Sequence, residues 1–172
     1  DLFSLGYFGA AAGEMIRFYE ACEAAYERLD HYTCDQDAVR RAMTPAVMRR
    51  LRALVRQGLA KTRGKTHARL RGINRILDFT ALLTQGLTSA AMCVDLAEQG
   101  RLRTARVHQR RAAEQADALI AFLRRNRQSG LFITGLYRPD DFYVRYIRQD
   151  MIQAPERAIR EGMGKTERGA IL

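Results

Sequence analysis

Between Arg40 and Arg75 the chain carries ten arginines and two lysines and not one aspartate or glutamate. The apolar residues threaded through this stretch recur every three to four positions, and that period commits it to helix. Thr44-Pro45 supplies the start signal, an N-cap hydroxyl followed by proline at the first helical position. On a wheel drawn from there, Val47, Leu51, Leu54, Val55 and Leu59 share one side. Arg49, Arg52, Arg56 and Arg63 fall within about 60° of one another on the opposite side, at about 100° per residue. The spacing therefore predicts an amphipathic helix over 45–63 with a wholly cationic polar face. A field of this strength implies an anionic counterpart, whether nucleic acid, an anionic membrane surface, or an acidic face of this protein or a partner.

The rest of the chain reads as helix too. It has three prolines in 172 residues, 47% hydrophobic and 28% charged residues, and little β-type alternation, which argues for a packed globular protein. Residues 2–8 form an apolar arm or first turn. The helix after it is expected to place Phe8, Ala12, Met15, Tyr19, Cys22, Tyr26 and Leu29 on one stripe, with Glu20, Glu23, Glu27 and Asp30 on another face. That acidic face is either solvated or a docking surface for the basic helix downstream. A polar linker occupies 30–37, and Asp35 or Asp37 can cap a short helix running to Met43. After a break at 61–66, a long apolar helix is expected at about 66–99, with Leu70, Ile73, Ile76, Leu77, Leu83, Leu87, Ala91 and Val94 inward. Its second half is apolar nearly all round, the mark of a helix surrounded by others. A further helix over about 102–127 buries Leu102, Ala105, Ala112, Ala113, Ala116, Leu119, Ile120 and Leu123, so that the two form an antiparallel hairpin. A last helix turns Phe142, Tyr143, Tyr146, Ile147 and Met151 inward and is ended or kinked by Pro155. The expected fold is all-α, a single-domain bundle of five or six helices over 1–160, followed by a glycine-rich C-terminal tail at 161–172 that is mobile unless docked.

Charge is laid down in bands. Residues 1–39 hold eight acids against two bases, 76–100 hold three acids and no base, and 101–128 hold eight bases against two acids. Arginine outnumbers lysine 26 to 3. The guanidinium fork grips phosphate and carboxylate in pairs of hydrogen bonds, but abundant alanine makes a GC-rich coding sequence the simpler source of the bias. The longest uncharged run, 79–94, is 16 residues interrupted by three threonines, a serine and a glutamine. That falls short of the roughly 18 apolar residues of a membrane span, so no transmembrane span is expected.

Several motifs dissolve on inspection. Gly58 to Thr66 spells G-x5-G-K-T, one residue too long for a phosphate-binding loop, and it follows a helix rather than a strand. Gly162-Met163-Gly164-Lys165-Thr166 lacks the leading glycine spacing. His31, His67 and His108 lie in three different segments, and the acids around His31 read as a capping loop, so neither metal nor cofactor is expected. No acid–base pair or activated nucleophile is recognisable, which leaves an enzyme nothing to work with. The alternation of Tyr137, Arg138, Tyr143, Arg145, Tyr146 and Arg148 suits stacking on single strands, but at helical spacing the tyrosines belong to the core.

Cys22 and Cys34, twelve positions apart, can close a disulfide in an oxidising compartment, worth about 3 kcal/mol by loop-closure entropy. Three reduced cytosolic thiols explain the same residues equally well, and Cys93 reads as a small buried hydrophobe. The first residue is aspartate, which fits a removed N-terminal segment or a trimmed chain. Together these features lean the reading towards a periplasmic or extracytoplasmic place over a cytoplasmic one.

The function expected is a non-enzymatic binding protein, or a subunit of a larger assembly, whose arginine-rich face docks an acidic protein or envelope surface. Its candidate contact residues are Arg49, Arg52, Arg56, Arg63, Arg69, Arg103, Arg106 and Arg110. The alternative is nucleic-acid binding through the same face, with Arg101, Arg103, Arg106, Arg110 and Arg111 as a second patch.

Overall fold

A computed structural model describes residues 2–29, 36–126 and 139–169, which are helical almost throughout, with no strand among them. The all-α class and the long apolar helix expected from the sequence are both present. Two compact units divide the chain, Asp1–Ala81 and Leu82–Leu172, and the division falls inside that long helix.

The first unit opens with α1 (Leu2–Phe8), a single 3-10 turn over Gly9–Ala11 that needs the positive φ of Gly9, and α2 (Ala12–Tyr26). After α3 (Gln36–Ala42) comes α4 (Pro45–Lys61), then the first half of α5 (Gly64–Glu98). Thr44 caps α4 as its sequence predicts: its hydroxyl accepts the Val47 N–H at 3.3 Å, and Pro45 sits where no N–H is needed. The buried side of α4 is Met48, Leu51, Leu54 and Val55, packed with Phe8, Met15, Phe18, Leu70 and Leu77 into one core. Gly58 lets that packing close. A Cβ there would stand 3.2 Å from the Ala11 Cβ and from a Leu70 methyl, closer than side chains ordinarily pack.

The stripe expected around α2 packs inward at Phe8, Ala12 and Met15, which are buried, and at Cys22, Tyr26 and Leu29, which lie partly buried against the core. Of the seven only Tyr19 is exposed, and Phe18, Ala21 and Ala25 join the buried side. Small alanines let α2 approach α4, so they take the centre of the contact ahead of bulkier neighbours. The break after α4 falls at Thr62 and Arg63, and α5 starts on Gly64 at a positive φ of 59°.

The second unit holds the remainder of α5, α6 (Leu102–Arg125), α7 (Pro139–Arg148) and α8 (Ala154–Gly169). Gly100, at φ 73°, closes α5 by a Schellman turn: its N–H reaches the Ala97 carbonyl at 3.0 Å and the Arg101 N–H reaches the Leu96 carbonyl at 2.8 Å. From that turn α5 and α6 run back along each other in even steps. Ala105 packs in a core with Leu96 and Ala97, the Gln109 backbone lies beside the Cys93 sulfur, and Gln115 lies across from Gly86. This is the antiparallel hairpin expected, and Ala105, Ala112 and Ala116 at its seam are fully buried.

α5 is less enclosed than its composition suggests. Gln85, Thr88, Met92 and Asp95 form an exposed strip, and Ile76, expected inward, is exposed as well. By length and composition α5 would suffice to cross a membrane, and 39% of its most apolar window is buried within the protein.

Pro155 does not end the last helix. The chain passes from α7 into a π turn over Gln149–Gln153, in which the Ala154 N–H bonds to the carbonyl of Gln149, five residues back, and then continues as α8. Proline lacks an N–H and its ring collides with the carbonyl four residues earlier; widening the preceding turn accommodates both defects without breaking the helix. Met151, in this turn, is fully buried and its methyl occupies the notch over Gly86, where a Cβ would come within 1.7 Å of it. α8 then runs to Gly169, through the first part of the segment expected as a tail. Gly162 seats it: a Cβ there would lie 2.8 Å from a Leu102 methyl and 3.1 Å from the Ala97 carbonyl. In α7, Ile147 is buried as expected, but Tyr146 is 39% exposed and does not belong to the core. Tyr137 and Arg138 lie outside the described residues, as does the side chain of Tyr143.

Candidate functional site

The arginines of α4 divide by what they touch. Arg52 leans to the edge of the helix and pairs with Asp78 of α5 at 2.8 Å, both side chains 41% exposed. Arg49, Arg50 and Arg56 are exposed and have no ion pair among the described residues. Arg49 and Arg56 stand two turns apart, about 10.5 Å along the axis, on the same face. Arg63 is exposed and donates to the neighbouring Thr62 carbonyl at 2.8 Å. Arg69 is committed elsewhere in the unit. Its Nη1 donates to the Tyr7 carbonyl at 2.7 Å and its guanidinium lies 4.0 Å over the Tyr7 ring. The last carbonyls of a helix lack intrahelical partners, and Arg69 caps one of them at the end of α1 while stacking on the aromatic face. Of the five contact residues expected in this unit, Arg49, Arg56 and Arg63 are left with their charge towards solvent, whereas Arg52 and Arg69 are engaged within the unit.

Glu20, Glu23 and Glu27 stand exposed, the solvated reading of the acidic face, while Asp30 lies outside the described residues; the acids that meet α4 are Asp78 and Glu14. Glu14 is only 4% exposed, and its Oε1 accepts from Lys61 Nζ at 2.7 Å and from Arg17 Nη2 at 3.1 Å. The Lys61 hydrogen bond holds the Glu14 carboxyl below its usual range, although burial pulls the other way. A carboxylate so enclosed is tolerable only because it is paired. Sequence offered one signal for it: Glu14 lies between apolar neighbours, next to Met15 and one turn before Phe18.

In the second unit, Arg103, Arg106 and Arg110 are exposed along one side of α6. They border an open groove of about 740 Å³ whose apolar lining comes from Leu102, Val107 and Met163 of α8. Arg106 Nη2 donates to the Met163 thioether sulfur at 3.4 Å. Met163 had no place in the sequence-based site because its segment read as tail; the signal for it is Gly162, whose lack of a side chain seats α8 against α6.

The thiol of Cys22 is free and half-buried, Cys93 is free and fully buried, and burial raises the pKa of both. Cys34, the expected disulfide partner of Cys22, lies outside the described residues, as does His31. His67 and His108 each bury an Nδ1 without a hydrogen-bond partner. Among the described residues no three His, Cys, Asp or Glu side chains come together in a way that could hold a metal ion. Comparison of the chain with protein-family models, with curated proteins and with solved structures finds no match in any of the three.

Proposed function

We propose that this chain is a non-enzymatic binding or assembly protein that docks an acidic protein surface through the outer face of α4. The observation behind this reading is that Arg49, Arg50 and Arg56 are exposed and have no ion pair among the described residues, while Arg52 and Lys61 on the same helix are matched to acids of their own unit. The internal anionic demand of α4 is thus met by Asp78 and Glu14, and the remaining charge points to an external partner. Guanidinium forks favour carboxylates that arrive in fixed geometry, and exposed charge of one sign speeds encounter with an oppositely charged surface.

The test is cross-linked capture from the native host with the full chain, comparing it with the variant Arg49→Glu/Arg50→Glu/Arg56→Glu. Arg52 is left in place because its charge is already paired with Asp78. An acidic protein captured by the parent and lost with the variant supports the reading, and capture indifferent to the three charges removes it. Co-purifying nucleic acid, with a log affinity that falls linearly against log salt, would put phosphate in the place of carboxylate. Binding to anionic vesicles and to no protein would assign the face to an envelope surface.

A further inference from the structure

We propose that the groove between α6 and α8 is a second docking site, and that it takes an acidic segment of a partner protein bearing an apolar side chain. Arg103, Arg106 and Arg110 follow one another at i, i+3 and i+7, which lines them along one face over about 10.5 Å of helix. All three are exposed and none has an ion pair among the described residues. Arg106 donates instead to a thioether sulfur, a weak acceptor for a charged donor. A carboxylate entering the groove replaces that contact with a charge-assisted one of the kind guanidinium groups favour.

Charge is half of the complementarity. The lining adds Leu102 and Val107, partly exposed, and Met163 at 37% exposure. Methionine is unbranched and polarizable, and adapts to the shape of an incoming apolar group. Phosphate groups along a nucleic-acid backbone would engage the arginines and leave this apolar surface wet. A peptide with glutamates or aspartates at helical spacing and a leucine-like side chain beside them uses both, in the manner of an amphipathic helix laid in a groove. The site stands independently of the α4 reading. It lies in the other unit, shares no residue with that face, and requires an apolar contact.

The test is fluorescence anisotropy of the full chain with a labelled synthetic peptide bearing three glutamates at helical spacing and two flanking leucines. The parent is expected to bind it, and Arg106→Glu/Arg110→Glu to weaken binding by about tenfold or more. Met163→Ser, which changes no charge, and a peptide with serines for the leucines should each weaken it several-fold. Arg49→Glu/Arg56→Glu should leave this binding unchanged, so failure here and failure of the α4 reading are separately visible. Far-UV circular dichroism checks that each variant keeps its helix; if the double reversal unfolds, Met163→Ser and the altered peptide decide. The proposal is overturned if the peptide does not bind, if the groove variants bind it equally, or if the serine peptide binds as well as the leucine one. It is also overturned if an oligonucleotide of equal charge binds the groove more tightly than the peptide does.

Discussion

Replacing Gly86 by alanine should destabilise the protein, although alanine is the better helix former. In a helix interior the exchange gains about 1 kcal/mol from backbone entropy and solvation. Against it stands Met151, whose methyl carbon would lie 1.7 Å from the new Cβ and whose sulfur would lie 3.0 Å from it, with the Gln115 Cβ at 3.2 Å on another side. A methionine terminus normally swings aside at little cost, but Met151 is fully buried and held in the π turn, so its displacement must be absorbed by packed neighbours. Overpacking of this kind costs about 1–3 kcal/mol, which leaves a net loss of up to about 2 kcal/mol. Met151→Ala alone should cost about 2–5 kcal/mol through the cavity it opens. In that background the collision with the methionine is gone and only the Gln115 Cβ at 3.2 Å remains, so Gly86→Ala should now stabilise by up to about 1 kcal/mol. Guanidinium unfolding of the four proteins, followed by far-UV circular dichroism, reads the change of sign as a coupling energy. If Gly86→Ala stabilises the parent as much as it stabilises the Met151→Ala protein, the methionine does not fill the glycine notch and the packing argument fails.

Three further outcomes follow from the same structure. Glu14→Gln should cost about 1–3 kcal/mol near neutral pH, because a buried carboxylate loses its charge-assisted bonds to Lys61 and Arg17. Since Lys61 lowers the folded-state pKa of Glu14, its contribution is present above the ordinary carboxylate range and is lost as pH falls through the folded value, so the acid limb of the stability profile should flatten in the variant. An acid limb unchanged by the substitution would contradict the assignment. Gly100→Ala should cost about 1–2 kcal/mol, because the Schellman turn needs a left-handed residue there; a denaturation midpoint at or above the parent's would speak against it. Arg52→Ala should cost at most about 1 kcal/mol in a thermal melt, since the pair with Asp78 is open to solvent at both ends; a loss of several kcal/mol would mean that the pair carries more of the fold than its exposure allows.

Local signals were legible where they repeat. α4 announced itself through a threonine–proline cap and an unbroken apolar stripe, and α6 through alanines that recur at its seam. The stripe of α2 reads correctly except at Tyr19, which counts as apolar on a wheel but stands exposed while Phe18, one position before it, is buried. At Pro155 the sequence displays the missing N–H, and with it an end or a kink, but not the wider hydrogen-bond register by which the preceding turn keeps the helix going. At the basic face, the periodicity placed Arg49 and Arg56 correctly on the outside. It could not show that Arg52 meets Asp78, 26 residues on, or that Arg69 caps a carbonyl 62 residues earlier, because such partners depend on how helices pack. The groove was half visible for the same reason. Its arginines are neighbours along one helix, while Met163 reaches them from a segment that composition alone marks as tail.

The π turn at Gln149–Gln153 carries a consequence for how this protein can change over generations. An α-helical register differs from a π register by one residue, so the turn stores a single inserted position in the middle of a continuous helix. A one-codon deletion there would remove the stored residue and restore plain α geometry with the phase of everything after it kept, whereas relaxing the turn to α geometry at unchanged length would rotate everything after it by about 100° about the helix axis. Gly162 would then leave Leu102, and Met163 would turn away from Arg106, without any substitution in the groove. The seating of Gly162 against Leu102 therefore depends on the phase that the π turn sets: the extra residue is tolerated only as long as the wide turn absorbs it.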